Sequence, residues 1–455
     1  MDTKLYIKEL VEKGREAQNK FESFSQERVD EIVREIGKVI YDRAEELARM
    51  AVEETGMGVY EDKILKNKGK SKLIWNNLRN KKSVGIIDED KEKALIMIAK
   101  PKGVVAAVTP CTNPIVTPMC NSMFALKGRN SIIVAPHPRA KKCAKYIVEL
   151  FNKAIVKLGA PENLIQVIEE PSIESTSELM NVVDVVVATG GMGMVKSAYS
   201  SGKPAYGVGA GNVQCIIDRD IDIKEASKKI IEGRIFDNGI ICSGEQSIIA
   251  HEKEYDSIIK EFENQGAYYI EDEETVDKFR QVLFPDGRIN GKIVGQSVRV
   301  IAELAKVEVS ENIRVIILKP RGIGKEDVLC KEKMCPVMVA FKYKTLEEAL
   351  DIAQTNLNLE GKGHSCAIHS NNMDNIKEAG NKLTVSRLVV NQPSSTSAGG
   401  GLYNGFAPTT TLGCGSWGNN SISENLDYKH LINVSRVGYI RDNVKVPTDL
   451  EIWNK

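Results

Sequence analysis

Cys242 lies in the run Asp237-Asn238-Gly239-Ile240-Ile241-Cys242-Ser243-Gly244-Glu245-Gln246-Ser247. A helical pattern precedes it, and the strand-like Gln246-Ser247-Ile248-Ile249-Ala250 follows. A thiol on a loop bordered by Gly239 and Gly244 can be approached closely by a substrate. A thiolate is a good nucleophile even when only a small fraction is ionised. The bland use of a cysteine is as a small buried hydrophobe, so its surroundings must decide. Ser243, beside it, can donate a hydrogen bond to a bound group.

Other polar turns fall at the ends of expected strands. Thr109-Pro110-Cys111-Thr112-Asn113-Pro114 can offer donors to a ligand, although it also reads as a proline-stiffened turn. Ala135-Pro136-His137-Pro138-Arg139-Ala140-Lys141-Lys142 stands where a dinucleotide-binding sheet normally carries an acid for the ribose hydroxyls. Here there is no acid, and His137, Arg139 and Lys141 would suit a 2′-phosphate; the alternative is a solvated basic helix start. Thr189-Gly190-Gly191-Met192-Gly193 precedes a helix, where glycines let backbone N–H groups approach a phosphate. Gly207-Val208-Gly209-Ala210-Gly211-Asn212 is a second glycine-rich turn. The G-x-G-x-x-G fingerprint of a dinucleotide site is not expected anywhere in the chain.

The elements that must hold these residues can be read from pattern. The chain of 455 residues is too long for one core, so two or three domains are expected. Lys+Arg and Asp+Glu both number 62, which argues against a nucleic-acid partner held by bulk positive charge. Nine cysteines, with a start charged from Asp2 and no apolar signal core, fit free thiols in a reducing cytoplasm. Cys330 and Cys335 lack the spacing of a metal site, and no metal is expected. Gly103 to Leu126 carries no charge, but Pro110, Pro114 and Pro118 make it a buried strand, a turn and a buried helix, with no membrane partner expected.

Residues 1–80 are predicted helical, from apolar spacing at Ile32, Ile36, Val39, Ile40, Leu47 and Met50. Residues 83–99 read as a protruding hairpin, a common oligomer contact. Strands are predicted at 104–108, 131–135, 165–168, 184–188 and 214–217. An amphipathic helix from Ala140 to Leu158, ended by Gly159 and Pro161, separates the second and third. This alternation implies a parallel sheet covered on both faces, with ligands at the carboxyl ends of its strands. A second such region runs from about 223 to 425, starting with the cap Asp222. Ser394 to Gly401 is the most flexible-looking loop. The expected fold class is α/β: a cofactor-binding domain over 1–232, a catalytic domain over 233–425 and a tail over 426–455.

These segments together resemble the aldehyde dehydrogenase superfamily, in its coenzyme-A-acylating branch. The resemblance is carried by T-P-C-T-N-P-I-V-T-P (109–118), A-T-G-G-M-G-M-V (188–195), F-D-N-G-I-I-C-S-G-E-Q-S (236–247), K-E-K-M-C-P-V (331–337) and T-L-G-C-G-S-W-G-N-N-S-I-S-E-N (411–425). Within the branch, Y-E-D-K (60–63), A-P-H-P-R (135–139) and L-V-V-N-Q-P (388–393) are most similar to acylating succinate-semialdehyde dehydrogenases. The resemblance implies two Rossmann-like parallel-sheet domains with an oligomerisation hairpin, and a homodimer or dimer-based homo-oligomer.

It also implies roles. Cys242 matches the catalytic thiol and Glu332 the glutamate that holds the nicotinamide ribose. Asn113 matches the side-chain oxyanion donor, with the Cys242 N–H as its partner; counted strictly against P-W-N-F-P of hydrolytic members, that position falls on Thr112. His364, in G-K-G-H-S-C, is a candidate to protonate coenzyme A, or a structural histidine. The cofactor is expected to be NADP(H), held by Thr109, Pro110, Pro136, His137, Arg139, Gly190, Gly191, Gly209 and Glu332. Lys70, Ser243 and Ser394 are candidates for the substrate carboxylate.

Hydrolytic members carry a water-activating glutamate in E-L-G-G-K, where this chain has Gly207. Without that base, acyl transfer to coenzyme A is favoured over hydrolysis. The implied reaction interconverts succinyl-CoA and succinate semialdehyde. The alternatives are an acylating acetaldehyde or butyraldehyde dehydrogenase, a hydrolytic enzyme, or a non-catalytic assembly protein of the same fold.

Overall fold

The computed structural model describes residues 2–441 and 444–454. Four helices open the chain: Thr3–Phe21, Gln26–Asp42, Ala44–Thr55 and Tyr60–Leu78. Ile32, Ile36 and Ile40 are fully buried on one face of Gln26–Asp42, as their spacing predicts, and Leu47 is buried on the next helix.

A five-stranded parallel sheet follows, in the spatial order Ile165–Val167, Ser131–Pro136, Val104–Thr109, Val185–Thr189, Ala205–Val208. Every residue of the Val104–Thr109 and Ser131–Pro136 strands is buried, so both faces of the sheet are covered. The chain starts in the middle, builds outward to one edge, then returns to the other. That reversal opens a crevice at the carboxyl ends of Val104–Thr109 and Val185–Thr189. The charge-free stretch resolves into the first of these strands and the helix Val116–Lys127, all of whose residues are buried. Among the described residues no helix is long and apolar enough to cross a membrane.

A second sheet of seven parallel strands runs Ala267–Ile270, Val315–Leu318, Val337–Tyr343, Glu245–His251, Val213–Ile217, Gly363–His369, Val385–Val390. The strand expected at 214–217 in the first sheet belongs here, paired with Glu245–His251 and Gly363–His369. The change of sheet therefore comes between Val208 and Val213, ahead of residue 232. Pattern reading passed over Ala205–Val208, which closes the first sheet in its stead.

The hairpin forms from Gly85–Asp90 and Leu95–Pro101. Within the expected tail, Ile432–Gly438 adds a third antiparallel strand along Leu95–Pro101. Ser394 to Gly401 is not a loose loop. Ser394–Ser397 is a short buried helix whose first N–H donates to Glu245 Oε1 at 2.6 Å. Contrary to the expectation of none, the chain carries one G-x-G-x-x-G, Gly413 to Gly418, but it leads only into a three-residue turn at Ser416–Gly418. It therefore lacks the helix that a phosphate cradle needs.

Candidate active site

The helix Ile223–Ile235, capped by Asp222, delivers the chain to Cys242 through a turn over Phe236–Gly239. Asp237 and Asn238 both take left-handed backbone (φ 52° and 53°), a conformation Asp and Asn tolerate best after glycine. The buried Arg234 guanidinium donates to Gly239 O at 3.2 Å, Glu245 O at 3.0 Å and Cys335 O at 2.9 Å. One side chain thus ties both ends of the Cys242 loop to the segment carrying Glu332. Gly211 lies against this loop from the other side: a Cβ there would sit 1.8 Å from Cys242 O. The Cys242 N–H has no acceptor among the described residues.

Cys242 lines a cleft of about 620 Å³ at the carboxyl ends of the first sheet's strands. Thr109, Pro110, Pro136, His137 and Arg139 line it from one side of the crevice. Gly190, Gly191, Gly209, Glu332 and Asn113 complete the expected set. A Cβ on Gly190, Gly191 or Gly193 would meet nothing within 4 Å, so the start of the helix Met192–Ser200 faces open space suited to a phosphate. Among the described residues Arg139 is the only Lys or Arg along the cleft and Glu332 its only carboxylate. Ser172, Ile173 and Thr176 also line it. They come from the start of the helix Ile173–Val182, which no sequence motif marks.

The basic run at 137–142 is not free of acid. Glu54, from the helix Ala44–Thr55, accepts from the N–H groups of Lys142 and Cys143 at 2.7 Å each. The Lys141 ammonium pairs with Glu170 at 2.5 Å. Of that run only His137, Pro138 and Arg139 reach the cleft, and Arg139 donates to Thr55 O at 2.7 Å.

The helix Tyr60–Leu78 turns Lys63, Lys66 and Lys70 toward the site. Lys63 pairs with Asp237 at 3.0 Å, and Lys66 also bonds this carboxylate. Lys66 Nζ donates to Asn113 Oδ1 at 2.7 Å as well. Lys70 has no carboxylate; it donates to Gly399 O at 2.8 Å, close enough to Cys242 for a thiolate there to favour its charged form. Burial nevertheless lowers Lys70 to about 8. Sequence reasoning missed Lys66 and Asp237, although Asp237 lay inside the quoted motif.

Lys70, Ser243 and Ser394 do not line the cleft; Lys70 and Ser243 both bond the backbone just after Ser394, at Gly399 and Ser395. Ser243 donates to Ser395 O at 3.4 Å, and the buried hydroxyls of Ser394 and Ser395 have no partner. His364 is not brought to the cleft. It is wholly buried, with Nδ1 3.0 Å from Ser365 Oγ. Burial, with the nearby Arg387 charge, keeps it neutral by pushing it well below its usual value. A histidine enclosed in this way cannot deliver a proton to a leaving group in the cleft.

Burial, then Glu332, push the Cys242 thiol up to about 12, against the pull of Arg387. Burial, then Glu360, raise Glu332 to about 8; its Oε1 accepts from Gly211 N–H at 3.3 Å. Gly207 packs against Val195 and Tyr199, where a Cβ would come within 3 Å of both side chains, so no acid can stand there. All nine cysteines are unpaired.

The sequence profile of the Aldehyde dehydrogenase family matches residues 2–272. The succinate-semialdehyde dehydrogenase (acetylating) of Clostridium kluyveri is 61% identical over 453 residues, covering 100% of both chains. The crystal structure of an acetylating aldehyde dehydrogenase from Geobacillus thermoglucosidasius aligns with a TM-score of 0.94 at 37% identity, over 98% of each chain. A propionaldehyde dehydrogenase from Rhodopseudomonas palustris, solved with bound propionyl-CoA, aligns with a TM-score of 0.85 at 30% identity. That match covers 95% of this chain and 94% of the other.

Proposed function

This chain belongs to the aldehyde dehydrogenase family, and on that premise we propose that it interconverts succinyl-CoA and succinate semialdehyde with NADP(H), through a thioester on Cys242. The observation that carries acyl transfer is the make-up of the cleft. It joins the Cys242 thiol, an amide donor and a free backbone N–H, and among the described residues it holds no carboxylate but Glu332. Tyr199 and Val195 fill the space beside Gly207, so water finds no base there.

In the reductive direction Cys242 Sγ bonds to the thioester carbon, and coenzyme A leaves as its thiol with the proton that Cys242 gives up. Asn113 Nδ2 and the Cys242 N–H hold the oxygen that gains negative charge, an effect worth about 3 kcal/mol per donor. The nicotinamide, when bound, supplies the hydride for the reduction. Glu332 would hold that cofactor by accepting from its ribose hydroxyls. Release of the aldehyde frees Cys242 as the thiolate, which takes one proton from solvent to return to the thiol. Oxidation runs the same steps backward.

The carboxylate of the succinyl group needs a cation, because an anion buried alone is costly. Lys70 is buried without an acid, while Lys63 and Lys66 share Asp237, and this supports Lys70 as the partner. Ser243 and the unpartnered Ser394 hydroxyl are the neighbouring donors. Arg139, the one Lys or Arg of the cleft, supports NADP(H) over NAD(H). We read the three-stranded sheet as the contact of a homodimer or dimer-based homo-oligomer, and the nine free thiols as those of a cytoplasmic protein.

The test is NADPH oxidation with succinyl-CoA and acetyl-CoA side by side. We expect kcat/KM to favour succinyl-CoA by at least about tenfold, the value of one charge-assisted contact. A preference for acetyl-CoA would instead indicate a short-chain acylating enzyme. Acid formation without coenzyme A would refute acyl transfer.

A further inference from the structure

We propose that Lys66 is a positioning residue: held by Asp237, its ammonium clamps the Asn113 amide so that the Nδ2 donors face Cys242's side of the cleft. This rests on reading Asn113 as the oxyanion donor.

Asn113 is a partition. It lines the main cleft together with Cys242, and it also lines a small crevice behind, shared with Lys63, Lys66 and Asn67. From the crevice side, Lys66 Nζ approaches Asn113 Oδ1 to 2.7 Å. An ammonium has donors and no acceptor, so the atom it meets must be the amide oxygen. The amide's orientation is thereby set, and the two N–H groups are left on the other side. They have no acceptor among the described residues.

Lys66 is itself fixed. Its side chain is 9% exposed and shares the wholly buried Asp237 carboxylate with Lys63. Asp237 also accepts from Val59 N–H at 2.8 Å, and its own N–H donates to Asp62 at 2.7 Å. Two ammonium groups and two carboxylates balance, so the cluster contributes direction rather than net charge. Asp237 sits in the left-handed turn that leads to Cys242. One short segment thus carries the nucleophile and, through Lys66, aims the donor that must meet the same carbonyl. Preorganised donors of this kind act on charge that develops only during reaction.

The consequence is a split between kcat and KM that a merely structural lysine would not produce. In the full-length enzyme, Lys66→Met should lower kcat with succinyl-CoA about tenfold, a fraction of the 10²–10³ that a lost oxyanion donor costs. KM for succinyl-CoA and the Kd of NADPH should stay within about twofold. Asn113→Ala should lower kcat about a hundredfold. In the Asn113→Ala background, Lys66→Met should have no further effect, because there is no amide left to aim.

An unchanged kcat in Lys66→Met, or a loss that persists in full beside Asn113→Ala, overturns the clamp. Should Lys66→Met fail to fold, Asp237→Asn replaces it in the same cycle. That substitution keeps the shape and the Val59 bond, and loses the charge that holds Lys66 together with its neighbour Lys63. No loss, or a loss that persists beside Asn113→Ala, again overturns the clamp. If Asn113→Ala alone leaves kcat intact, it is the oxyanion reading that fails.

Discussion

Gly211 and Cys242 are in backbone contact so close that no other residue fits: a Cβ on Gly211 would stand 1.8 Å from the Cys242 carbonyl oxygen. Gly211 N–H also donates to Glu332 at 3.3 Å. Gly211→Ala must therefore push the nucleophile loop away from the glutamate. We expect a loss of kcat of at least about a hundredfold, since a displacement of an ångström can cost that much. Thermal unfolding and NADPH fluorescence titration should show a folded protein that still binds cofactor; normal turnover would refute the contact.

Cys242 is a protonated thiol at rest, pushed up to about 12 by burial and then by Glu332. Alkylation by iodoacetamide should accelerate with pH through 9 with no plateau. Glu332, itself raised to about 8, becomes an anion above that pH and then opposes thiolate formation. Glu332→Gln should thus alkylate Cys242 faster than the parent above pH 8, by about threefold, and equally below pH 7. Tryptic mapping of the modified cysteine separates Cys242 from Cys111, the other thiol of the cleft.

Lys70→Met should raise KM for succinyl-CoA by about 10–100-fold, the worth of a buried charged hydrogen bond. With acetyl-CoA, which has no second anion, kinetics should change by less than about twofold. The parent enzyme carries the same signature in its pH profile. Lys70 lies near 8, so its charge is present below that pH and is lost above it. KM for succinyl-CoA should climb as pH rises from 8 to 9.5, and KM for acetyl-CoA should not follow.

Arg139→Ala should lower kcat/KM for NADPH about tenfold or more and leave NADH within about threefold. Equal losses would assign Arg139 to packing through its bond to Thr55 O. Glu54 supplies a second handle. It occupies the N-terminus of the helix beside Arg139, so Glu54→Gln should improve NADPH relative to NADH.

Much of this arrangement is written locally. Short apolar runs such as Val104–Val108, flanked by Gly103 and Pro110, read as buried strands, and the turns at their ends fall where a parallel sheet gathers its ligands. Cys242, Asn113, Glu332 and the glycine turns converge on one cleft accordingly. What escaped sequence reasoning depends on partners far away in the chain. Val213–Ile217 has the same composition as the strands before it, and only the pairing with Glu245–His251 assigns it to the second sheet. Nothing near residue 140 announces Glu54. The spacing 63, 66, 70 puts three lysines on one helix face, but which of them lacks an acid is decided by Asp237. His364 follows a glycine-rich turn as a reactive residue would, yet the strand Gly363–His369 carries it into the core.

The third strand of the small sheet arrives late. Asn433 Nδ2 donates to Pro101 O, 332 residues back in the chain. At ribosomal rates of about 5–20 residues per second, the Leu95–Pro101 edge waits from about 15 s to a minute for its neighbour. During translation it is an open template for any other strand, including the same edge of a second nascent chain. The C-terminal segment is therefore the clasp that closes a vulnerable interval of synthesis. A message truncated before Ile432 would leave both sheets of the catalytic body intact and yield a polypeptide prone to aggregate.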